Sequence, residues 1–244
     1  MRAAIVAKRC REVQPLLLEL EGLMQKNGVT KSKSPQVVFT VGGDGTVLES
    51  ERLYPSVPKF CINGGRTSFL GEVETEELEE KFGLLLRKKY SVDERTKLSC
   101  PALPDALNEI AVISSKLMRM MEVEVEVNGH FLTRLRGDGL IVATPTGSTA
   151  HSLAAGGPII MPGSRVMSLT PLAPFRLASR PLVVSDSARI EVMPTTDVLV
   201  ASDGQSSVTV KSGEPILVKR SRSTAKFLRF GGNYFRRLKK LIIP

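Results

Sequence analysis

Hydrophobic and polar positions follow two different rhythms along the chain. As far as about Tyr90, short apolar runs alternate with segments whose apolar residues recur every three or four positions. Arg2 to Ala7 reads as a strand, and Val13 to Gln25 as a helix with Leu16, Leu17, Leu20, Leu23 and Met24 on one face. The β-branched and aromatic run Val37 to Val41 predicts a buried strand that breaks at Gly42-Gly43-Asp44-Gly45-Thr46, with a helix-compatible segment, Val47 to Leu53, after it. Lys59 to Ile62 is a further strand. It leads into a glycine loop, Asn63 to Gly71, and then a charged helix from about Thr75 to Lys89 whose buried face carries Leu78, Phe82, Leu85 and Leu86. Strands alternating with helices predict a parallel sheet with helical crossovers.

After Tyr90 the strands are joined by turns. Met121 to Val127 alternates strictly, Val123, Val125 and Val127 against Glu122, Glu124 and Glu126, and Asn128-Gly129 is a hairpin turn into Phe131 to Leu135. Further strands are expected at Leu107 to Ser114, Leu140 to Ala143, Leu182 to Val184, Arg189 to Met193, Val198 to Ser202, Ser207 to Val210 and Pro215 to Lys219, with one helix after Ser148 and a return to helix over Tyr234 to Ile243. With the boundary set in Tyr90 to Lys97, the expected fold is an α/β domain over residues 1–95 and an all-β sandwich over 96–226, with 227–244 packing back on the first domain.

Bulk properties narrow the class. At 244 residues there is room for two modest domains, and 42% apolar residues suffice for real cores. No apolar run approaches the roughly 20 residues that span a bilayer, and the apolar patch Ala3 to Ala7 is too short for a signal peptide. A soluble cytoplasmic protein is therefore expected. Cys10, Cys61 and Cys100 are far apart and odd in number, so neither a disulfide framework nor a zinc site is indicated. The net charge of +9 suits a polyanionic partner, and much of it comes from Lys219 to Lys240, where Lys219, Arg220, Arg222, Lys226, Arg229, Arg236, Arg237, Lys239 and Lys240 stand without an acid. With no tryptophan, 5% aromatics and no RNP-type strand, a phosphate-rich small substrate explains the charge better than nucleic acid does.

Several polar stretches are too particular for plain scaffold. The glycines of Gly42 to Thr46 suit a phosphate cradle at a helix start, but Asp44 would repel phosphate, which assigns it to a magnesium ion or a proton. In Asn63-Gly64-Gly65-Arg66, at the same sheet edge, Arg66 can pair with a phosphate, and Phe69 can offer a ring face. Asn108-Glu109, read as lying inside an apolar strand, needs a polar partner such as ribose hydroxyls or an amide. Asp138 precedes a buried strand, and after that strand the hydroxyls at 144, 146, 148 and 149 are expected to form a polar ligand surface. Asp203-Gly204-Gln205 alone is an ordinary hairpin turn. GxSxG, GxGxxG and GxxxxGK[ST] are missing, which argues against a serine hydrolase, a standard Rossmann dehydrogenase and a P-loop kinase.

Taken together, the sequence resembles the NAD kinase family. The marks run in order through Gly42-Gly43-Asp44-Gly45-Thr46, Asn63-Gly64-Gly65-Arg66 with Phe69-Leu70, Asn108-Glu109, and the block from Gly137 to Ala150, with Gly156-Gly157-Pro158 and Arg180-Pro181 behind them. The resemblance implies a Rossmann-like α/β domain, an NAD-binding β-sandwich, and phosphorylation of the 2′-hydroxyl of the adenosine ribose of NAD to give NADP. It makes Asp44 the proton acceptor. It assigns NAD binding to Gly45, Phe69, Asn108, Glu109, Arg136, Asp138, Thr149, Ala150, His151, Ala154, Asp203 and Gln205, and donor phosphates to Gly42, Gly43, Thr46 and Arg66 with magnesium. It implies ATP or polyphosphate as donor, a homodimer or homotetramer, and no metal held by the protein alone. The sequence departs from the family pattern at Thr67-Ser68, His151, Ala154 and Phe175. A GGDG turn also occurs in lipid and sugar kinases, and a non-catalytic dinucleotide-binding protein is a further alternative.

Overall fold

A computed structural model describes residues 1–64, 68–176, 178–231, 234–235 and 238–239. The chain divides into two compact units, Met1–Glu94 with Ala225–Pro244, and Arg95–Thr224.

In the first unit the elements are β1 (Arg2–Ala7), α1 (Gln14–Lys26), β2 (Thr30–Lys31), β3 (Val37–Gly42), α2 (Asp44–Leu53), β4 (Lys59–Asn63) and α3 (Leu78–Leu86). The strands run parallel in the order β2-β1-β3-β4. Every residue of β3 is buried, as a strand covered on both faces must be. One face packs Val37, Phe39 and Val41 with Leu16 and Leu20 of α1 and Leu78 and Phe82 of α3. There the Phe39 ring stacks on Phe82 at 5.7 Å and meets Phe60 edge-on at 5.3 Å. On the other face Ala4, Val6 and Val38 pack with Tyr54 and Val57. Lys59 and Glu51, both buried, form an ion pair, and Lys59 Nζ also donates to the Tyr54 carbonyl at 2.8 Å.

The chain then runs through β5 (Ser91–Ser99), inside which the two units divide, so the stretch read as a boundary is a strand. The second unit continues with β6 (Glu109–Ser114), β7 (Met121–Val127), β8 (His130–Gly137), β9 (Gly139–Ala143), α4 (His151–Ala154), β10 (Val166–Leu172), β11 (Leu182–Ser185), β12 (Ile190–Pro194), β13 (Val198–Ser202), β14 (Ser206–Val210) and β15 (Ile216–Arg229), whose last residues belong to the first unit. One antiparallel sheet has the order β11-β10-β9-β6-β13-β14, and β15, β12, β7 and β8 pair antiparallel in another. The core of the sandwich joins Ile110, Val112, Leu140 and Val142 of the first sheet with Val123, Val125, Ile190 and Val218 of the second. The hairpin at Asn128 (φ 55) and Gly129 (φ 77) has the left-handed pair a type I′ turn requires. In the first unit Phe227 of β15 lies parallel to Lys59 of β4.

Several expected elements move. The helix after the glycine turn begins at Asp44 instead of Val47, because Gly43 serves as its N-cap. The charged helix opens as a 3-10 turn, Thr75–Glu77, and its α part ends at Leu86. β6 begins at Glu109, so Asn108 stands before the strand and not inside it. The helix after Ser148 shrinks to a 3-10 turn, Gly147–Thr149, and four residues of α4, stopped by Gly156 at φ 83 and by Pro158. The strand expected over Pro215 to Lys219 extends to Arg229. Most of Tyr234 to Ile243 lies outside the described residues.

Candidate functional site

In the first unit the site begins where β3 and β4 end side by side, Gly42 opposite Asn63. Gly42 has φ 152, and a Cβ on it would lie 2.4 Å from Thr46 Oγ1, so no other residue fits the turn. Gly64 packs as tightly, with its would-be Cβ 2.9 Å from the Gly42 Cα. Gly43 and Gly45 differ: no atom lies within 4 Å of a Cβ placed on either, and both face a cavity of about 450 Å3. Lys8, Arg9, Glu49 and Gly64 also line it. Exposed backbone at a helix start together with two cations is a setting for anionic oxygens. Lys8 and Arg9 were missed in the sequence, where two adjacent cations after a strand are unremarkable until the parallel sheet puts them at its carboxyl edge.

Asp44, in the first turn of α2, is turned toward the loop after β4. Its Oδ1 accepts the Ser68 hydroxyl at 2.5 Å, the Leu70 N–H at 2.9 Å and the Phe69 N–H at 3.0 Å, and Oδ2 shares the Phe69 N–H at 3.1 Å. Ser68 Oγ in turn accepts the Gly71 N–H at 2.8 Å. A Cβ on Gly71 would fall 2.0 Å from Asn63 Oδ1, so a side chain there would displace the Asn63 amide. The loop is tied again at Leu70, whose carbonyl accepts from Arg229 Nη1 at 3.1 Å. Phe69 is half-buried and meets Tyr234 edge-on, with centroids 6.1 Å apart. Arg66, expected at the donor phosphates, and Thr67 of the departing Thr67-Ser68 pair lie outside the described residues. Burial pushes the Cys61 thiol up to about 11, so it is no nucleophile at neutral pH.

In the second unit the backbone of residues 107–109 is held from two sides. The Asp203 carboxylate accepts the N–H groups of Leu107 and Asn108 at 2.8 Å and of Glu109 at 3.1 Å. From the other side Thr144 donates its hydroxyl to the Leu107 carbonyl at 2.6 Å and its N–H to the Asn108 carbonyl at 2.9 Å. Gly147 closes over Asn108 so tightly that a Cβ would lie 2.1 Å from the Asn108 oxygen. Glu109 starts β6 on the face that carries Ala111, with Ala143 as its neighbour on β9. It is buried, and its Oε2 has no hydrogen-bond partner. Burial first, and then the Asp203 charge, push the Glu109 carboxyl up to about 7. Burial also raises Asp203 above its ordinary value, against the three N–H groups and Lys97.

Three of the four hydroxyls of the turn, at 144, 146 and 148, are turned inward, and that of Thr149 is on a half-buried residue. Thr144 and Ser148 are fully buried, and Ser148 Oγ donates to the Pro145 carbonyl at 2.7 Å and accepts the Ile160 N–H at 2.9 Å. Thr146 is buried with Arg95, and Thr149, half-buried, donates to the Thr146 carbonyl at 3.3 Å. Ala150 is half-buried, while His151, Ala154 and Gln205 are exposed.

Asp138, also exposed, stands at the other end of β9 from Ala143 and Glu109, five residue steps or roughly 17 Å away, and the exposed Arg136 lies two residues before it in β8. Gly137 and Gly139 fix them there, each with a would-be Cβ 2.8 Å from a backbone carbonyl, of Leu172 and of Val112. The Arg136 guanidinium lies over the Phe175 ring at 5.1 Å, which gives the departure at Phe175 a partner. Among the described residues no cluster of three or more His, Cys, Asp or Glu could hold a metal.

A family model of the ATP-NAD kinase C-terminal domain matches residues 107–230. An NAD kinase of Methanothermobacter thermautotrophicus is 33% identical over 92% of this chain and 82% of its own length. One of Methanopyrus kandleri is 39% identical over 85% and 78%. The crystal structure of an NAD kinase from Archaeoglobus fulgidus in complex with ATP superposes with a TM-score of 0.89 at 34% identity, covering 98% of each chain. The architecture is thus that of a phosphotransferase with an α/β part and a β-sheet part. The chain belongs to the NAD kinase family.

Proposed function

We propose that this protein transfers the γ-phosphoryl group of ATP to the 2′-hydroxyl of the adenosine ribose of NAD, giving NADP and ADP. The observation that carries the reading is the Asp44 carboxylate, fixed at the start of α2 between two glycines that face a cavity with Lys8 and Arg9. The hydroxyl oxygen attacks the γ-phosphorus, the bond from that phosphorus to the β,γ-bridging oxygen breaks, and the hydroxyl proton passes to Asp44. Positioning and charge supply most of the catalysis in such transfers. Gly42 shapes the turn, and the backbone of Gly43, Gly45 and Thr46, with Lys8, Arg9 and Arg66, binds the donor phosphates. Among the described residues Glu49 is the one acidic residue lining the cavity, which suits a magnesium ion bound mainly by phosphate oxygens and water, with few protein ligands. That ion would neutralise the charge on the leaving diphosphate.

Asn108 and Glu109 take the ribose, held in place by Asp203, and Phe69, Thr149, Ala150, His151, Ala154 and Gln205 complete dinucleotide binding. Asp138, roughly 17 Å along β9 from Glu109, and Arg136 of β8 beside it are assigned to a dinucleotide held by a second copy of the chain. A homodimer or homotetramer follows from that assignment, and light scattering with and without NAD tests it. We place the protein in the cytoplasm, in keeping with its three free cysteines. Among the described residues no helix is long and apolar enough to cross a membrane. Incubating the purified protein with NAD or NADH, ATP or polyphosphate, and Mg²⁺ tests the reaction. NADP from NAD and ATP is expected, and its absence from every combination would sink the proposal.

A further inference from the structure

We infer that Ser68 is a positioning residue that decides which oxygen of Asp44 receives the substrate proton. The inference rests on the reading of Asp44 as proton acceptor. A carboxylate oxygen has about two acceptor sites, and Oδ1 already meets three donors: the Ser68 hydroxyl, the Leu70 N–H and the Phe69 N–H. Among the described residues Oδ2 has only its share of the Phe69 N–H, so it is the oxygen open to a further donor. Backbone amides alone would distinguish the two oxygens poorly, because the terminal torsion of an aspartate is broad and close to two-fold.

The Ser68 hydroxyl removes that freedom. It is buried, and its own oxygen is engaged by the Gly71 N–H, which directs its proton onto Oδ1. The relay Gly71 N–H, Ser68 O–H, Asp44 Oδ1 therefore fixes the carboxylate before substrate arrives. It also survives the chemistry: once Oδ2 is protonated, Oδ1 is a carbonyl oxygen and still accepts every donor aimed at it. No group on the Oδ1 side has to reorient during transfer, which is the condition for preorganised catalysis.

The test is a double-mutant cycle on the full chain with NAD, ATP and Mg²⁺, reading NADP by enzymatic cycling so that slow turnover is followed. Ser68→Ala is expected to lower kcat about tenfold, the loss of one charge-assisted hydrogen bond, with both KM values within about twofold and an unchanged far-UV spectrum. Ser68→Gly provides a second route to the same loss should the alanine variant fail to fold. In an Asp44→Asn background the Ser68 change should have no further effect, because Ser68 acts only through the carboxylate. Wild-type kcat in the Ser68 variants, or an equal fractional loss in both backgrounds, would overturn the role of Ser68. Failure of the underlying reading looks different: the wild-type chain makes no NADP, or Asp44→Asn turns over as fast as wild type.

Discussion

Asp203 holds Asn108 from 95 residues further along the chain, its Oδ1 accepting the Asn108 N–H at 2.8 Å. The same carboxylate carries the N–H groups of Leu107 and Glu109, so one turn residue sets the backbone that presents both candidate ribose ligands. Asp203→Ala leaves three N–H groups without their acceptor. A loss of about 3 kcal/mol of stability is expected, seen in urea melts, with KM for NAD rising at least tenfold and kcat changing less.

Glu109 gives the protein a pH signature. Its carboxyl sits at about 7 in the folded chain against 4.5 for its ordinary value, so between those limits the folded state binds more protons than the unfolded state. Its contribution to stability therefore falls as pH rises from about 4.5 to 7 and stays lost above, by at most about 3 kcal/mol. Glu109→Gln should match wild type in urea unfolding near pH 4 and exceed it at pH 8, while binding NAD less well at both.

Gly147→Ala tests the contact that closes over Asn108. The new Cβ would meet the Asn108 oxygen at 2.1 Å, and that oxygen is pinned by the Thr144 N–H. A destabilisation of about 1–3 kcal/mol is expected from the forced shift, together with a raised KM for NAD.

The ion pair of Lys59 and Glu51 is a property of the fold and not of the site. Removing one partner of a buried ion pair is strongly destabilising, so Lys59→Met should cost about 3–5 kcal/mol. Lys59→Met with Glu51→Leu should recover most of it in thermal or urea melts.

The alternation of strands and helices up to Tyr90, the valine and glutamate alternation of β7 and the Asn128-Gly129 hairpin were legible because each is written in neighbouring residues. So was the glycine turn at Gly42, whose φ and crowding exclude a side chain. What the sequence hid depends on partners far along the chain. Locally Asp203-Gly204 is the hairpin turn it was expected to be, with φ 51 and 65, and its carboxylate has a role only because β13 lies beside β6. Thr144 looked like a ligand hydroxyl, but its acceptor is the carbonyl of Leu107, 37 residues earlier. The basic run from Lys219 looked free of acids, and in the fold Arg220 meets Asp186 while Arg229 meets Asp93 and Glu72. Asp44 was legible as the odd residue of its turn, whereas the donors that orient it come from a loop 24 to 26 residues away.

In the proposed reaction Asp44 accepts the proton of the attacking ribose hydroxyl, and kcat for NADP formation by Asp44→Asn beside wild type measures that role. The asparagine keeps the size and can still accept the Leu70 and Phe69 amides, so the variant should fold, with a melting temperature within a few degrees of wild type. It cannot take up the proton, and kcat should fall by about 10²- to 10⁴-fold, the range for losing a general base. A folded Asp44→Asn protein that forms NADP within about threefold of the wild-type rate would rule Asp44 out as the proton acceptor.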